Sequence, residues 1–257
     1  MASVFENIAD IVTRVFITHD RWRLWVTGLQ NTLVITFFAL LIGIVIGFMI
    51  AVVRVSHDTA GKPPIILKIP NALVKIYVTA IRGIPMMVQI MIMNFIIFAA
   101  SRNLILTAIV AFGINSGAYV AEVFRGGILS VEKGQTEAGR SLGLSAPQTM
   151  RRIIMPQAIK NSLPALGNEF ISLLKETSIM GVIGVMDITR AGNVIRGLTY
   201  DQSPLIFVAA AYLTLVIFLE FLVSKMEKRL KKSERPIVKN IDRKGSLFGL
   251  FKRGGTA

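Results

Sequence analysis

Cysteine is absent from this chain of 257 residues, so neither a disulfide framework nor a thiolate metal site is available to it. Histidine occurs twice, at His19 and His57. Both lie in segments flanking apolar runs, which leaves no basis for a His-built metal cluster or a catalytic triad. Charge is scarce as well: 17% of the residues are Asp, Glu, Lys or Arg, against about a quarter in soluble domains. No G-x-x-x-x-G-K-[ST] loop occurs, so the chain has no visible means of cradling ATP phosphates. No internal repeat and no soluble domain is visible. No cleavable signal sequence is expected, because Glu6, Asp10, Arg14, His19 and Asp20 interrupt the first twenty residues.

What is abundant is apolar surface. The hydrophobic fraction is 53% and the mean hydropathy +0.61. Runs of about twenty apolar residues mark membrane-spanning helices. Residues 33–53 supply a first, beginning near Trp25. Residues 85–100 supply a second, which reaches back toward Pro70 and is interrupted by Arg82, Gly83 and Pro85. Residues 104–121 form a third, and residues 163–185 a fourth despite Glu169, Lys175 and Glu176. Residues 205–223 form a fifth. The expectation is an all-α membrane protein of five transmembrane helices, occupying residues 25–230. Residues 1–24 precede it as an N-terminal segment suited to an amphipathic helix on the outer surface, with Trp22 and Trp25 at the interface, where such rings prefer to sit. Residues 231–257 follow as a basic tail, either in contact with anionic membrane lipid or simply disordered.

Lys and Arg in the connections orient the spans. The connections after the first and third spans, together with the tail, hold about twenty basic residues. The other side holds about six. The basic side is the cytoplasm, which places the N-terminus outside and the C-terminus inside. Much of the net charge of +14 is therefore topology and does not call for a nucleic-acid partner.

Between the third and fourth spans lies a polar insert, residues 137–156, that cannot sit in lipid. It reads as two short helices. The first covers residues 137–142 and closes at Gly143, a residue suited to a helix C-terminus. The second opens with Ser145 as N-cap, Pro147 in its first turn and Gln148 three residues on, and Pro156 disrupts it. A capped, amphipathic knuckle between two spans is suited to docking another protein.

These residues resemble the EAA motif in permease subunits of ATP-binding-cassette importers. The pattern stands here as Glu137-Ala138-Gly139, Gly143, Ile153 and Met155-Pro156, with Gly139 in place of Ala and Met155 in place of Leu. Residues 77–89, YVTAIRGIPMMVQ, are similar to the RGTP-type signature of polar amino-acid permeases, with Ile84 for Thr. Residues 118–135, and the groups Asn168-Glu169-Phe170 and Lys175-Glu176-Thr177-Ser178, resemble further motifs of that subfamily. The resemblance implies a permease subunit in a bacterial cytoplasmic membrane, with two such subunits, identical or related, forming the pathway. It also implies separate cytoplasmic ATPase subunits that hold ATP and Mg and receive the EAA segment. An extracytoplasmic binding protein would deliver the amino acid. No cofactor or metal is expected in this chain, and it is not expected to be an enzyme.

Ala138, Gly139 and Pro156 are the other motif positions of the coupling segment. Glu137 is the residue expected to meet the ATPase partner, as a carboxylate near a helix N-terminus; the bland reading is dipole stabilisation of a first turn. Gly143 would allow close backbone approach, or act as a plain C-cap. Ionisable groups inside a span default to a functional reading. Glu169 and Glu176 are seven residues apart, so they share a helix face and could receive the ammonium or guanidinium of an amino acid. Ser172, Thr177 and Ser178 add hydroxyls to that candidate pathway. The bland alternative pairs Glu176 with Lys175 or a cation on a neighbouring helix, and puts Glu169 in water near the cytoplasmic end. Arg82 either holds a substrate carboxylate or serves structure, by pairing with a carboxylate at the permease interface or snorkelling to a surface, since the Gly83–Pro85 break leaves carbonyls in need of donors. Gly43 and Gly47 form a G-x-x-x-G pair in the first span. Two rival functions stand beside this one. An importer of another small metabolite keeps the ATPase partner. A self-sufficient secondary transporter would show repeated halves, which this chain lacks.

Overall fold

The computed structural model describes residues 9–59 and 62–232, all of them in helices and short connections. The expected basic tail falls almost wholly outside the described residues. The first long helix, α1, runs Trp22–Thr59. At 1.5 Å per residue it is about 57 Å long, nearly twice the roughly 30 Å of a bilayer's hydrocarbon core. Then follow α2 (Ile65–Gly83) and α3 (Met86–Ile92), the latter prolonged by a π turn, Met93–Ile97. The helix α4 spans Leu104–Leu129, and α5 Lys133–Ser141. Next, α6 (Ala146–Thr149) passes through a π turn, Met150–Ile154, into α7 (Met155–Glu176). A 3₁₀ segment, Thr177–Ile183, leads to α8 (Ile188–Thr199) and α9 (Ser203–Lys232).

Three of these helices, α1, α4 and α9, are long and apolar enough to cross a membrane. The second expected span is a bent pair: α2 and α3 meet at 108° and count as a fourth crossing only if taken as one. The bend sits where Arg82, Gly83 and Pro85 interrupt the run, since proline has no N–H for the preceding helix and disfavours helical geometry before it. The helix α7 carries Lys160, Glu169, Lys175 and Glu176, which lowers its hydropathy below that of the other three. It also ends earlier than the apolar run 163–185 implied. Beyond Glu176 the chain tightens into the 3₁₀ segment and reverses at Gly184, whose φ of 93° suits glycine.

The core is built on α1 against α4. Gly43 and Gly47 lie on Ser116 and Val120, and in return Gly113 and Gly117 lie on Ile42 and Ile46. A Cβ at Gly47 would come 2.7 Å from the Val120 side chain, and one at Gly117 2.7 Å from Ile46. The G-x-x-x-G pair thus meets a second pair, Gly113 and Gly117, spaced the same way on the facing helix. At the far end of α4, Gly127 brings the helix against Ser162 and the Ala158 carbonyl of α7. Val55, Ile128, Ile154 and Ala158 close one apolar cluster where α1, α4 and the knuckle meet. The N-terminal segment is not a free surface helix. Val15 is buried, Trp25 Nε1 donates to the Val15 carbonyl at 3.3 Å, and Phe16 packs between Trp25 and Phe207. Trp25 therefore turns inward, while Trp22 stays exposed.

The tight seam has a measurable consequence. Gly47→Leu should lower the melting temperature of the detergent-solubilised protein by about 5 °C or more, the effect of roughly 2 kcal/mol of overpacking. Gly126→Ala, where an added Cβ meets nothing within 4 Å, should leave it unchanged. Equal melting of the two variants would contradict the close approach of α1 and α4.

Candidate functional site

The knuckle between α4 and α7 begins four residues earlier than its polar sequence suggested. Its first helix starts at Lys133, so Glu137 lies mid-helix and not in a first turn, which removes the helix N-terminus from both readings of that carboxylate, docking and dipole. The helix closes at Gly143 with φ +82°. There the Leu144 N–H donates to the Gly139 carbonyl at 3.1 Å and the Gly143 N–H to the Arg140 carbonyl at 3.0 Å, a Schellman motif. Ser145 restarts the chain as anticipated. Its hydroxyl accepts from the Gln148 N–H at 3.4 Å, and its own N–H donates to Gln148 Oε1 at 2.8 Å, a complete capping box.

Pro156 does not break the second helix. The π turn Met150–Ile154 ends two residues before it, and the wider turn accommodates a residue that has no N–H to give. The helical path therefore continues from the knuckle into α7. Glu137, Ala138, Gly143 and Pro156 are exposed on this segment. Gly139 is buried, with Thr149 Cγ2 and Ile153 Cδ1 less than 3.0 Å from where a Cβ would stand. Glycine in place of alanine thus lets the two knuckle helices pack together. At the tip Leu142 is 80% exposed, an apolar side chain offered to water beside the exposed motif positions. Sequence reading had taken it only as the end of a helix.

Of the other candidate residues, Glu169 and Arg82 lie against α4. Ser116 donates to Glu169 Oε1 at 2.9 Å, which ties the half-buried carboxylate of α7 to the centre of α4. Glu176, Ser172 and Lys175 are exposed on the same helix, with Glu176 in electrostatic reach of both Glu169 and Lys175. Ser178 is half-buried. Thr177 is fully buried, and its hydroxyl donates to the Leu174 carbonyl at 2.6 Å; it closes α7. Arg82 is exposed, with its guanidinium carbon 5.2 Å from the Tyr119 ring centre, a cation–π distance.

Arg82 does not serve the carbonyls freed at the α2–α3 break. Gln89 does: its Nε2 donates to the carbonyls of Ile81 at 2.6 Å and Ile84 at 2.7 Å. Its Oε1 accepts from Asn115 Nδ2 at 3.2 Å, and the Tyr77 hydroxyl donates to the Ile114 carbonyl. Residues 114–119 of α4 thus hold α2, α3 and α7 at one level. Nearer the knuckle, Glu122 accepts from Arg54 of α1 and, at 3.0 Å, from Arg125 Nε. Sequence reading gave Gln89, Asn115 and Arg54 no role of their own, because partners 26 and 68 residues apart leave no local signal.

Residues 66–232 match the family model described as the inner membrane component of binding-protein-dependent transport systems. The chain belongs to this family. It is similar to the glutamine transport system permease protein GlnP of Escherichia coli strain K12, at 37% identity over 81% of this chain and 93% of that one. A putative GlnP of Rickettsia conorii is 34% identical over 88% of this chain and 99% of its own. Among solved structures, an amino acid ABC transporter crystallised with histidines matches at a TM-score of 0.73 and 40% identity, covering 80% of this chain and 94% of that one. The inward-facing MetNI methionine ABC transporter matches at a TM-score of 0.71 with 21% identity, covering 83% and 99%, a likeness of fold. The protein is thus a multi-pass permease component of an ABC-type importer and not an enzyme. It works with separate ATPase subunits, which hold ATP and Mg, and with a substrate-binding protein.

The permease depends on Gln89 to hold its bend. Gln89→Leu leaves two carbonyls and Asn115 without their partner, each at a cost of about 1–3 kcal/mol if buried. Limited trypsin digestion should then cut after Arg82 several-fold faster than in the wild type. An unchanged cleavage rate would show that the bend holds without this side chain.

Proposed function

We propose that this permease passes a polar amino acid across the bacterial cytoplasmic membrane through a pathway shared by two permease subunits, driven by ATPases docked on the knuckle. The observation that carries the reading is the polar segment 133–156, closed at Gly143 and recapped at Ser145, in a chain whose residues there follow the EAA pattern. Glu137, Ala138 and Gly143 are exposed on it, and the exposed Leu142 would enter an apolar hole on the partner. Gly139 sets the spacing of the two knuckle helices, and Pro156 marks where the segment enters α7.

Five spans follow if the bent α2–α3 pair and α7 are each counted as a crossing. The N-terminus then lies outside, and the knuckle and C-terminus inside, in keeping with the basic excess on that side. The α8–α9 connection at Tyr200, which is 95% exposed, faces outward. The absence of cysteine makes this directly testable. A single cysteine replacing Tyr200 should react with an impermeant maleimide in intact cells, and one replacing Gln135 only after the membrane is opened. The reverse pattern would invert the topology.

Substrate chemistry centres on Glu169, the half-buried carboxylate bonded to Ser116, with Glu176 and Ser172 exposed further along the helix. Burying a carboxylate is costly unless it is satisfied; an ammonium group in transit would satisfy it. Two carboxylates on one face favour a cationic amino acid. The names of the relatives bring glutamine, whose α-ammonium Glu169 would receive as well. Arg82, exposed over Tyr119, would meet a substrate carboxylate.

ATP hydrolysis by the complex of this chain with its ATPase and binding protein, screened across the twenty amino acids, tests the reading. Stimulation by one or a few polar amino acids is expected. Glu169→Gln should raise the half-saturating concentration about tenfold, the worth of one charge-assisted hydrogen bond. Glu137→Lys should leave the complex assembled but separate hydrolysis from uptake. No stimulation by any amino acid would overturn the substrate class, and normal coupling in Glu137→Lys would remove that residue from the docking surface.

A further inference from the structure

Where α1 runs on past its apolar stretch, it leaves a cavity of about 910 Å³ between itself, the end of α4 and the knuckle, within the roughly 300–1,000 Å³ of small-molecule sites. The cavity follows α1 from Phe48 to Thr59, about 16 Å along the helix axis. Its lining is of two kinds: apolar side chains, among them Phe48, Val52 and Ile128, and three bases, Lys133, Arg140 and Arg151. No acidic side chain lines it. Among the described residues no salt bridge engages any of the three bases. Arg140 gives one N–H to the Leu144 carbonyl at 3.0 Å and keeps its remaining donors.

An apolar slot that carries three bases and no acidic side chain in its lining, where α1 runs past its apolar stretch, fits a ligand with a hydrocarbon body and an anionic head. We infer that it is a binding site for an anionic phospholipid. One acyl chain lies along α1 past Phe48 and Val52, and the phosphate is received by Lys133, Arg140 and Arg151. Arginine suits this task through its fork of donors. The basic tail, with Leu247, Phe248, Leu250 and Phe251 beside Lys252 and Arg253, would bring like charges to the same rim and is the poorer occupant. Because the cavity is lined by Arg140 of α5 and by Pro147 and Arg151 beyond Gly143, the lipid touches both halves of the knuckle. Its presence would bias how the coupling segment sits beneath α1.

The assignment of the lipid to the cytoplasmic leaflet rests on the topology proposed above, but the site itself does not. Mixed micelles have no sidedness, so a test in them separates the two. The permease–ATPase complex is exchanged into micelles containing phosphatidylglycerol or phosphatidylcholine, and lipid retained per permease chain is counted by native mass spectrometry. Retention of one phosphatidylglycerol is expected, with at least tenfold preference over phosphatidylcholine. Each of Lys133→Gln, Arg140→Gln and Arg151→Gln should weaken retention about fivefold, the worth of one base near an anionic surface. Ser56→Trp, which fills the cavity from an exposed position on α1 without touching a charge, should abolish it. Equal retention of the two lipids, or undiminished retention in Ser56→Trp, would overturn the site. So would a photo-crosslinker at position 56 that captures the tail or the ATPase in place of lipid.

Discussion

Everything in this permease is hung on the approach of α1 to α4. In a bilayer the lipid tails are as apolar as leucine, so helices are not driven together by expelling water. They associate through close packing and the few polar bonds that proximity allows. Four glycines, Gly43 and Gly47 against Gly113 and Gly117, remove the side chains that would otherwise hold the two backbones apart. Ile42, Ile46, Ser116 and Val120 fill the spaces so created. Once α4 is fixed in this way, its other faces are free to receive α2, α3 and α7.

Those faces are used for polar work at one level of the helix. Tyr77, Gln89 and Glu169 each bond to one of three consecutive residues, Ile114, Asn115 and Ser116. A bend in the middle of an apolar segment would leave carbonyls unsatisfied where no water reaches them. Gln89 answers two of them and spends its remaining acceptor on Asn115. The device that makes the α2–α3 break tolerable is thus the same one that fixes the break's position relative to Glu169. Thr36, Thr107 and Ser162 turn their hydroxyls back on their own helices, as expected of hydroxyl residues in membrane helices.

Continuity explains how a knuckle outside the membrane could act on a carboxylate within it. From Ser145 onward there is no loop between the capping box and Glu169: α6, the π turn and α7 form one helical path. A displacement of the knuckle would be carried along this path to the Ser116–Glu169 bond, while Glu122, held by Arg54 and Arg125, ties the neighbouring end of α4 to α1.

The sequence by itself determined the class of the protein, the positions of its apolar helices and the chemistry of the knuckle. These depend on local properties: twenty-residue hydropathy, a serine and glutamine three apart, a glycine where a helix must stop. The first, third and fifth apolar runs lie within α1, α4 and α9, and Gly143 and Ser145 hold the caps their residue types suggest. Only the tertiary structure decided what the isolated polar residues do. Gln89 and not Arg82 serves the bend, Trp25 faces in, Thr177 closes a helix, and Gly43 and Gly47 are a packing seam. Pro156 sits in a continuous helix because the turn before it widens. Each of these outcomes turns on which distant or neighbouring group comes within about 3 Å, and hydrogen bonds and van der Waals contacts are decided at that range. Composition and periodicity place a residue on a face, but the partner on the facing helix is brought there by the fold.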